Sequence, residues 1–156
     1  MDATSEKTSV ERELAIAASP ETVWTFLTDP AKVTTWMGLS ATYDLRRGGE
    51  WRSEVVPDNI ASGEFVEIDA PRRLVYTWGW EPRGGEQNPV PSGSSTIEFE
   101  LVADGDGTLL HFVHRDLPSE EATASHAHGW DHYFERLVVA AAGGDAGRDP
   151  WLDGPM

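Results

Sequence analysis

The middle of the chain repeats one pattern six times, and this repetition restricts the fold more than any other feature. Between residues 42 and 115, short segments of alternating apolar and polar residues are separated by turn-forming residues. Such alternation is typical of a strand with one buried face, and short links favour antiparallel neighbours. The six predicted strands cover residues 42–46, 51–56, 61–68, 74–80, 96–102 and 108–115. The sequence therefore predicts an antiparallel meander.

Turn residues mark the links between these strands. Gly48-Gly49 gives the clearest hairpin signal, and turns are also predicted at Ala70-Pro71 and at residues 104–107. The one long connection, residues 81–93, is rich in Gly and Pro. Long loops inside compact domains are often functional or mobile. The sequence is therefore compatible both with a lid over a site and with a plain insertion.

Helical signals flank the meander. A seventh strand, from Val10 to Ile16, comes first, and Ser19-Pro20 and Asp29-Pro30 then predict two short helices, the second running to about Trp36. A long final helix is predicted from its cap at Ser119 to Gly143-Gly144. Its apolar face comprises Thr123, His126, Ala127, Trp130, Tyr133, Phe134, Leu137 and Ala141. The opposite face, expected toward solvent, comprises His128, His132, Glu135 and Val139.

Size and charge restrict the organisation and the partners. The 156 residues suit a single domain at 9–143, between a flexible N-terminus at 1–8 and a polar tail at 144–156. The 12 basic and 27 acidic residues give a net charge of −15, which repels phosphate backbones and anionic lipids. We therefore expect no nucleic-acid partner and no membrane insertion. The sequence has no cysteine and its first 13 residues lack an apolar core, so a cytoplasmic location is expected.

Together these elements predict an α+β fold, in which a curved seven-stranded antiparallel sheet and two short helices wrap a long C-terminal helix. Five segments accompany this order of elements: ASPETVWTFLTDPAKVTTW, RRGGEW, GEFVEIDAPRRLVYTWGW, DGTLLHFVHRDLP and HGWDHYFERL. In the order and in these segments, the sequence resembles the START/birch-pollen-allergen (SRPBCC, helix-grip) superfamily over about residues 9–142. They are most similar to the branch of the activator of the heat-shock-protein-ninety ATPase.

The resemblance implies a cavity between the sheet and the long helix that admits a hydrophobic small molecule. Strand alternation independently places large aromatic side chains on one face of the sheet. The candidate ligand-binding residues are Trp51, Tyr76, Trp78, Phe99, Phe112, His114, His126, Trp130 and Tyr133. The same spacing also fits a solid aromatic core, so a hollow and a packed centre both stay open.

Few polar residues are candidates for catalysis or metal binding. His126, His114 and Tyr133 are the acid/base candidates, although the sequence favours a structural role for each histidine. His128 and His132 stand four residues apart with Glu135 nearby, but ligands on a solvent face make a poor metal site, so no metal or other cofactor is predicted. No nucleophile-elbow, P-loop or dinucleotide-binding motif occurs.

Three alternative functions are compatible with these predictions. The first is non-covalent binding of a hydrophobic or aromatic small molecule, by a monomer or homodimer. The alternative is a cavity enzyme of the polyketide cyclase, aromatase or hydrolase kind. A weaker alternative is a co-chaperone-like ATPase activator, suggested only by the name of the branch; the eukaryotic activator carries an additional N-terminal domain, for which this chain is expected to have no room.

Overall fold

The computed structural model describes residues 8–82 and 88–153. The flexible N-terminus predicted at 1–8 lies almost wholly outside the described residues, as do positions 83–87 of the predicted loop and the last three residues of the tail. The described elements are β1 (Val10–Ile16), α1 (Pro20–Thr28), α2 (Pro30–Val33), β2 (Ser40–Tyr43), β3 (Glu50–Val56), β4 (Asn59–Asp69), β5 (Arg73–Trp78), β6 (Ser95–Asp104), β7 (Gly107–Arg115), α3 (Glu120–Ala141) and a 3-10 turn (Pro150–Leu152).

The strands form one seven-stranded antiparallel sheet in the order β1-β7-β6-β5-β4-β3-β2. From β2 to β7 the order follows the chain, as expected for a meander, and β1 pairs with β7 at the far edge. The register places Val10 opposite His114 in β7 and Tyr43 opposite Trp51 in β3. Bulges interrupt the β3–β4 and β4–β5 pairings, and such bulges bend a sheet locally.

The three helices begin at the capping residues that the sequence predicts. The side chains of Ser19, Asp29 and Ser119 each accept a hydrogen bond from a first-turn amide of the helix that follows. Pro20 and Pro30 occupy first helical positions, where a backbone donor is not needed. None of the described helices is long and apolar enough to cross a lipid bilayer.

The core lies between α3 and one face of the sheet. On α3 the buried side chains include Trp130, Tyr133, Phe134 and Leu137, as the helical periodicity predicts. On the sheet, alternate residues such as Phe99 and Phe112 are buried, and Phe112 packs against Trp130 and Phe134 of that helix. The predicted α+β fold, a curved antiparallel sheet with two short helices and a long C-terminal helix, is confirmed.

Two local features differ from expectation. The strand predicted at 42–46 runs instead over Ser40–Tyr43, because hydrogen bonds from Arg46 N to Asp44 O and from Gly49 N to Arg46 O form a turn there. The described part of the tail packs onto α3: Arg136 donates to the carbonyls of Ala146 and Gly147, so the chain after the helix is held against it.

Candidate ligand-binding cavity

A cavity of about 480 Å³ opens beneath the N-terminal half of α3. Its lining combines apolar and aromatic side chains with a few polar ones. The lining residues are Met37, Val55, Val56, Asn59, Trp78, Trp80, Asn88, Pro89, Val90, Ser119, Glu121, Ala122, Ser125, His126, Gly129, Trp130 and Tyr133. A concave site of this composition and size is typical of small-molecule binding sites.

Several elements build the cavity wall. Val55 and Val56 end β3, Asn59 begins β4, and Trp78 ends β5. On α3, lining residues recur at helical spacing from Ala122 to Tyr133, so one face of the helix forms one side of the cavity. Trp78, Trp130 and Tyr133 are buried inside. The exposed lining residues, at the mouth, are Asn88, Pro89, Ser119, Glu121 and Ser125.

Gly129 interrupts this helix face. A glycine inside a helix is less favourable than alanine by about 1 kcal/mol, so its presence in the third turn of α3 needs a reason. Apart from the adjacent residues and the backbone of its own helix, no described atom would lie within 4 Å of a Cβ atom built on Gly129. Close packing therefore does not require the glycine, and its missing side chain leaves the cavity wider at this point.

His126 is held in the wall by two hydrogen bonds. Its Nδ1 lies 2.8 Å from the carbonyl oxygen of Ala122, to which it donates, and its Nε2 accepts from Nε1 of Trp80 at 3.1 Å. Burial lowers the pKa of His126 below its ordinary value. The ring is therefore neutral and both of its nitrogens are occupied.

His114 lies deeper and is also fully bonded. Its Nδ1 accepts from Nε1 of Trp130 at 3.0 Å, so Nε2 carries the proton and donates to Oγ of Ser95 at 2.8 Å. The Ser95 hydroxyl in turn donates to the Trp78 carbonyl at 2.9 Å. Burial lowers the pKa of His114 well below its ordinary value, and the neighbouring His126 adds to this effect. This histidine joins β6, β7 and α3 as a neutral buried link.

Two polar atoms of buried lining residues lack a partner among the described residues: Nε1 of Trp78 and the hydroxyl of Tyr133. Most buried polar groups in proteins are hydrogen-bonded, so such exceptions need an explanation. Burial raises the pKa of Tyr133, with a further contribution from the Asp149 carboxylate. The phenol therefore remains protonated and keeps a hydrogen to donate.

Comparison with known proteins identifies the family. The sequence profile described as Activator of Hsp90 ATPase homolog 1-like protein (AHSA1) matches residues 17–142. The chain belongs to this family. The predicted resemblance to the activator branch is thus confirmed, while no curated protein sequence matches the chain.

Solved structures agree with the AHSA1-like assignment. An AHSA1-like protein from Rhizobium etli is 40% identical, with a TM-score of 0.72 over 95% of this chain and 90% of that one. CalU16 from Micromonospora echinospora is 28% identical, with a TM-score of 0.68 over 86% of this chain and 76% of that one. An HSP90 activator from Plasmodium falciparum, 21% identical with a TM-score of 0.67 over 83% of this chain and 93% of that one, shares the fold.

The predicted site residues of this AHSA1-like domain divide into two groups. Trp78, His126, Trp130 and Tyr133 line the cavity. The others lie in the closed part of the core or beside it: Trp51, Tyr76, Phe99, Phe112 and His114. Ring contacts connect the groups, with Trp51 stacked on Trp78 at 5.3 Å and Phe112 against Trp130 at 4.9 Å.

Sequence reasoning missed part of the lining. Met37, Val56, Asn59 and Val90 come from strand ends and links, where no periodicity indicates which side chains converge. A helix-interior glycine was the one available signal: Gly129 stands out on the apolar side of α3. The acid/base candidates His126 and Tyr133 both line the cavity. His114 does not line it, and its ring packs against that of His126 with 5.2 Å between the ring centroids.

The histidine pair on the other side of α3 has a different environment from that expected. His132 is not solvent-facing: Nε2 donates to Oδ1 of the buried Asp149 at 2.8 Å, and the Trp151 ring stacks on the imidazole at 3.6 Å. His128 lies against the same tryptophan at 5.4 Å. Over residues 8–82 and 88–153, no group of three or more potential ligands is arranged to hold a metal ion.

A second, wider groove of about 920 Å³ lies beside β2–β5 and is mostly polar. Some of its charged side chains form ion pairs with one another. Arg52 donates two hydrogen bonds to Glu81, and Arg46 donates one to Asp44. These exposed pairs are already satisfied within the chain, and such surface pairs contribute little free energy. The apolar cavity beneath α3 is therefore the stronger candidate.

Proposed function

We propose that this protein binds a hydrophobic or aromatic small molecule, without covalent chemistry, in the cavity beneath α3. The observation that carries the proposal is the combination of an aromatic-lined cavity with a helix glycine whose missing side chain leaves it open. A chain selected only for stability would gain from alanine at position 129. A helix-interior glycine that faces open space is expected when that space accommodates a ligand.

The bonding of the two histidines favours binding over acid/base chemistry. A general base needs a free lone pair within reach of its substrate. The Nε2 lone pair of His126 already accepts from Trp80, and both nitrogens of His114 are engaged. Use of either histidine as the base, under the cyclase, aromatase or hydrolase alternative, would require one of these hydrogen bonds to break before each turnover.

The composition of the chain agrees with a small-molecule partner. The net charge of −15 opposes binding of nucleic acid or of an anionic membrane surface. A cysteine-free sequence is compatible with a reducing compartment, and we place the function in the cytoplasm. The co-chaperone alternative rests on the family name, whereas the binding proposal rests on the geometry of this cavity.

The test uses N-phenylnaphthylamine, a neutral dye that fluoresces strongly in apolar sites. The wild-type protein is expected to bind the dye saturably, and Gly129→Leu, which fills the open space, should weaken binding at least tenfold. Ala124→Leu places the same side chain on an exposed position of α3 and should bind as the wild type does. Absence of saturable binding, or equal binding by a folded Gly129→Leu variant, would overturn the proposal.

A further inference from the structure

The tail that follows α3 contacts a residue of the cavity wall, Tyr133, through the ring of Trp151. We infer that the docked tail, residues 145–153, holds Tyr133 in place for the ligand, so that tail docking and ligand binding strengthen each other. This inference rests on the proposed function and adds a regulation of the same cavity. Asp149 and Trp151 act on the ligand through Tyr133 and are positioning residues.

A small set of specific contacts holds the tail against α3. The Trp151 ring stacks on that of His132 at 3.6 Å, and Nε2 of His132 donates to Oδ1 of Asp149 at 2.8 Å. The same Oδ1 accepts from the backbone N–H of Trp151 at 3.0 Å and so caps the 3-10 turn. Arg136 of α3 donates to two tail carbonyls.

The tail has little buried surface of its own. Of residues 143–153, Asp149 alone is buried, and Ala146, Trp151 and Leu152 are half-buried. A segment with few buried apolar contacts opens locally at a lower free energy than the whole domain. The residue that docking buries is a carboxylate, whose burial would be costly without its partners on His132 and in the turn. We therefore expect the tail to exchange between a docked and a released state while the domain stays folded.

Tyr133 connects the tail to the cavity. It lines the cavity from α3, and its ring contacts those of His132 at 4.9 Å and Trp151 at 5.6 Å. Its hydroxyl and Oδ2 of Asp149 are both buried without a hydrogen-bond partner among the described residues. Burial and, to a smaller extent, the Asp149 carboxylate raise the pKa of the phenol, so the two groups lie within electrostatic range. Release of the tail would take both the Trp151 ring and this carboxylate away from Tyr133.

A second link runs through Arg136. Besides the two tail carbonyls, its guanidinium donates through Nε to the carbonyl of Trp36 at 3.1 Å. Trp36 immediately precedes Met37, which lines the cavity. The docked tail is thus tied to two lining residues from different parts of the chain, Tyr133 and Met37.

Ordering of the wall explains why the ligand and the tail should cooperate. A side chain that is already held loses less conformational entropy when a ligand packs on it. With the tail released, the ligand would have to order Tyr133 itself, at a cost in affinity. Linkage requires the reverse effect by the same factor, so a bound ligand must favour the docked tail.

The first measurement is the affinity for N-phenylnaphthylamine. Trp151→Ala removes the stack on His132 and the contact with Tyr133, and it should weaken dye binding at least about fivefold. Trp151→Phe keeps an aromatic ring at this position and should restore most of the lost affinity. Arg148→Ala breaks an exposed ion pair with Asp153 inside the tail and should bind the dye as the wild type does.

The second measurement is amide hydrogen exchange of the wild-type protein with and without saturating dye. Amides of residues 145–153 should exchange at least about fivefold more slowly with the dye, because the ligand favours the docked tail. The turn at residues 104–107, none of which lines the cavity, should exchange at the same rate in both samples. A general stabilisation of the domain would not slow the tail, since the tail opens without global unfolding.

These measurements separate this inference from the proposed function. If the wild type binds the dye saturably and a folded Trp151→Ala variant binds it equally well, the tail does not position Tyr133 and the inference is wrong. Tail exchange that the dye leaves unchanged contradicts it independently, as does an equal loss of affinity in Arg148→Ala. If the wild type does not bind the dye, the proposed function falls and this inference falls with it.

Discussion

The indole N–H of Trp80 donates to Nε2 of His126 across 3.1 Å, and this hydrogen bond fixes the protonation state of the histidine. Because Nδ1 donates to the Ala122 carbonyl, the lone pair on Nε2 is the remaining acceptor site of the ring. A second proton on Nε2 would bring two donors face to face. The cavity wall between α3 and Trp80 is thus built for a neutral imidazole.

Stability should fall as the pH drops below about 6.5, the ordinary pKa of histidine. His114 and His126 have lowered pKa values in the folded protein, so below pH 6.5 the unfolded chain binds protons that the folded one does not. The loss should approach about 1.4 kcal/mol per pH unit for each histidine until the lowered pKa is reached. Urea unfolding at a series of pH values measures it.

A glutamine at position 126 separates this effect from general acid unfolding. His126→Gln keeps an oxygen acceptor for Trp80 but cannot gain a proton, so its stability should depend less steeply on pH between about 6.5 and 5. His128→Gln changes an exposed histidine on the same helix and should keep the wild-type slope. An identical slope in all three proteins would show that His126 does not contribute.

The fold was predictable because its signals are local. Strand alternation and the caps at Ser19, Asp29 and Ser119 depend on neighbouring residues, and the structure places these elements where they were predicted. The β2 strand was misplaced because residues 44–46 continue the alternation although they already belong to the turn, which backbone hydrogen bonds close. Local pattern alone does not distinguish a strand end from a turn of that length.

The candidate site was only partly predictable, since tertiary packing decides which aromatic residues face open space. Tyr76 and Trp78 share a strand face and are both buried, yet only Trp78 lines the cavity. The structure of the tail was beyond prediction for the same reason. Trp151 has no amphipathic neighbours, and the imidazole it stacks on, that of His132, lies 19 positions earlier in the chain.

Removing the Ser95 hydroxyl should destabilise the protein by about 1–3 kcal/mol, the cost of an unpaired buried polar group. In Ser95→Ala, Nε2 of the wholly buried His114 loses its acceptor and the Trp78 carbonyl loses a donor. Ser94→Ala makes the same change at the exposed neighbouring position and should have little effect. Equal unfolding midpoints for the two variants would contradict the structural role of the His114 network.

Truncating Trp151 should release the tail from α3. The indole stacks on His132 at 3.6 Å with an angle of 10° between the rings, and it also contacts Tyr133 at 5.6 Å. Trp151→Ala should cost at least about 1 kcal/mol and speed amide hydrogen exchange over residues 145–153. Leu152→Ala, at the adjacent half-buried position, should change that exchange much less. Wild-type exchange rates in Trp151→Ala would show that the stack does not hold the tail.

Gly129→Ala should stabilise the protein and weaken ligand binding at the same time. Alanine is the better helix former by about 1 kcal/mol. Its Cβ would meet no described atom within 4 Å beyond the adjacent residues and its own helix backbone, so no clash offsets the gain. The added methyl group narrows the cavity, and the affinity for N-phenylnaphthylamine should fall. Urea unfolding and dye titration of the same sample measure both effects.

Gly143→Ala is the matched comparison, because this glycine lies beyond the end of α3 with a φ of +95°, which an alanine adopts only with strain. It should lower stability by about 1 kcal/mol and leave dye affinity unchanged. The two substitutions should change stability in opposite directions. Alanine destabilises the protein where a glycine is needed for its backbone conformation, and stabilises it where the glycine only leaves space open. If Gly129→Ala also lowered stability, position 129 would be serving the backbone, and the argument that the cavity is maintained for a ligand would lose its support.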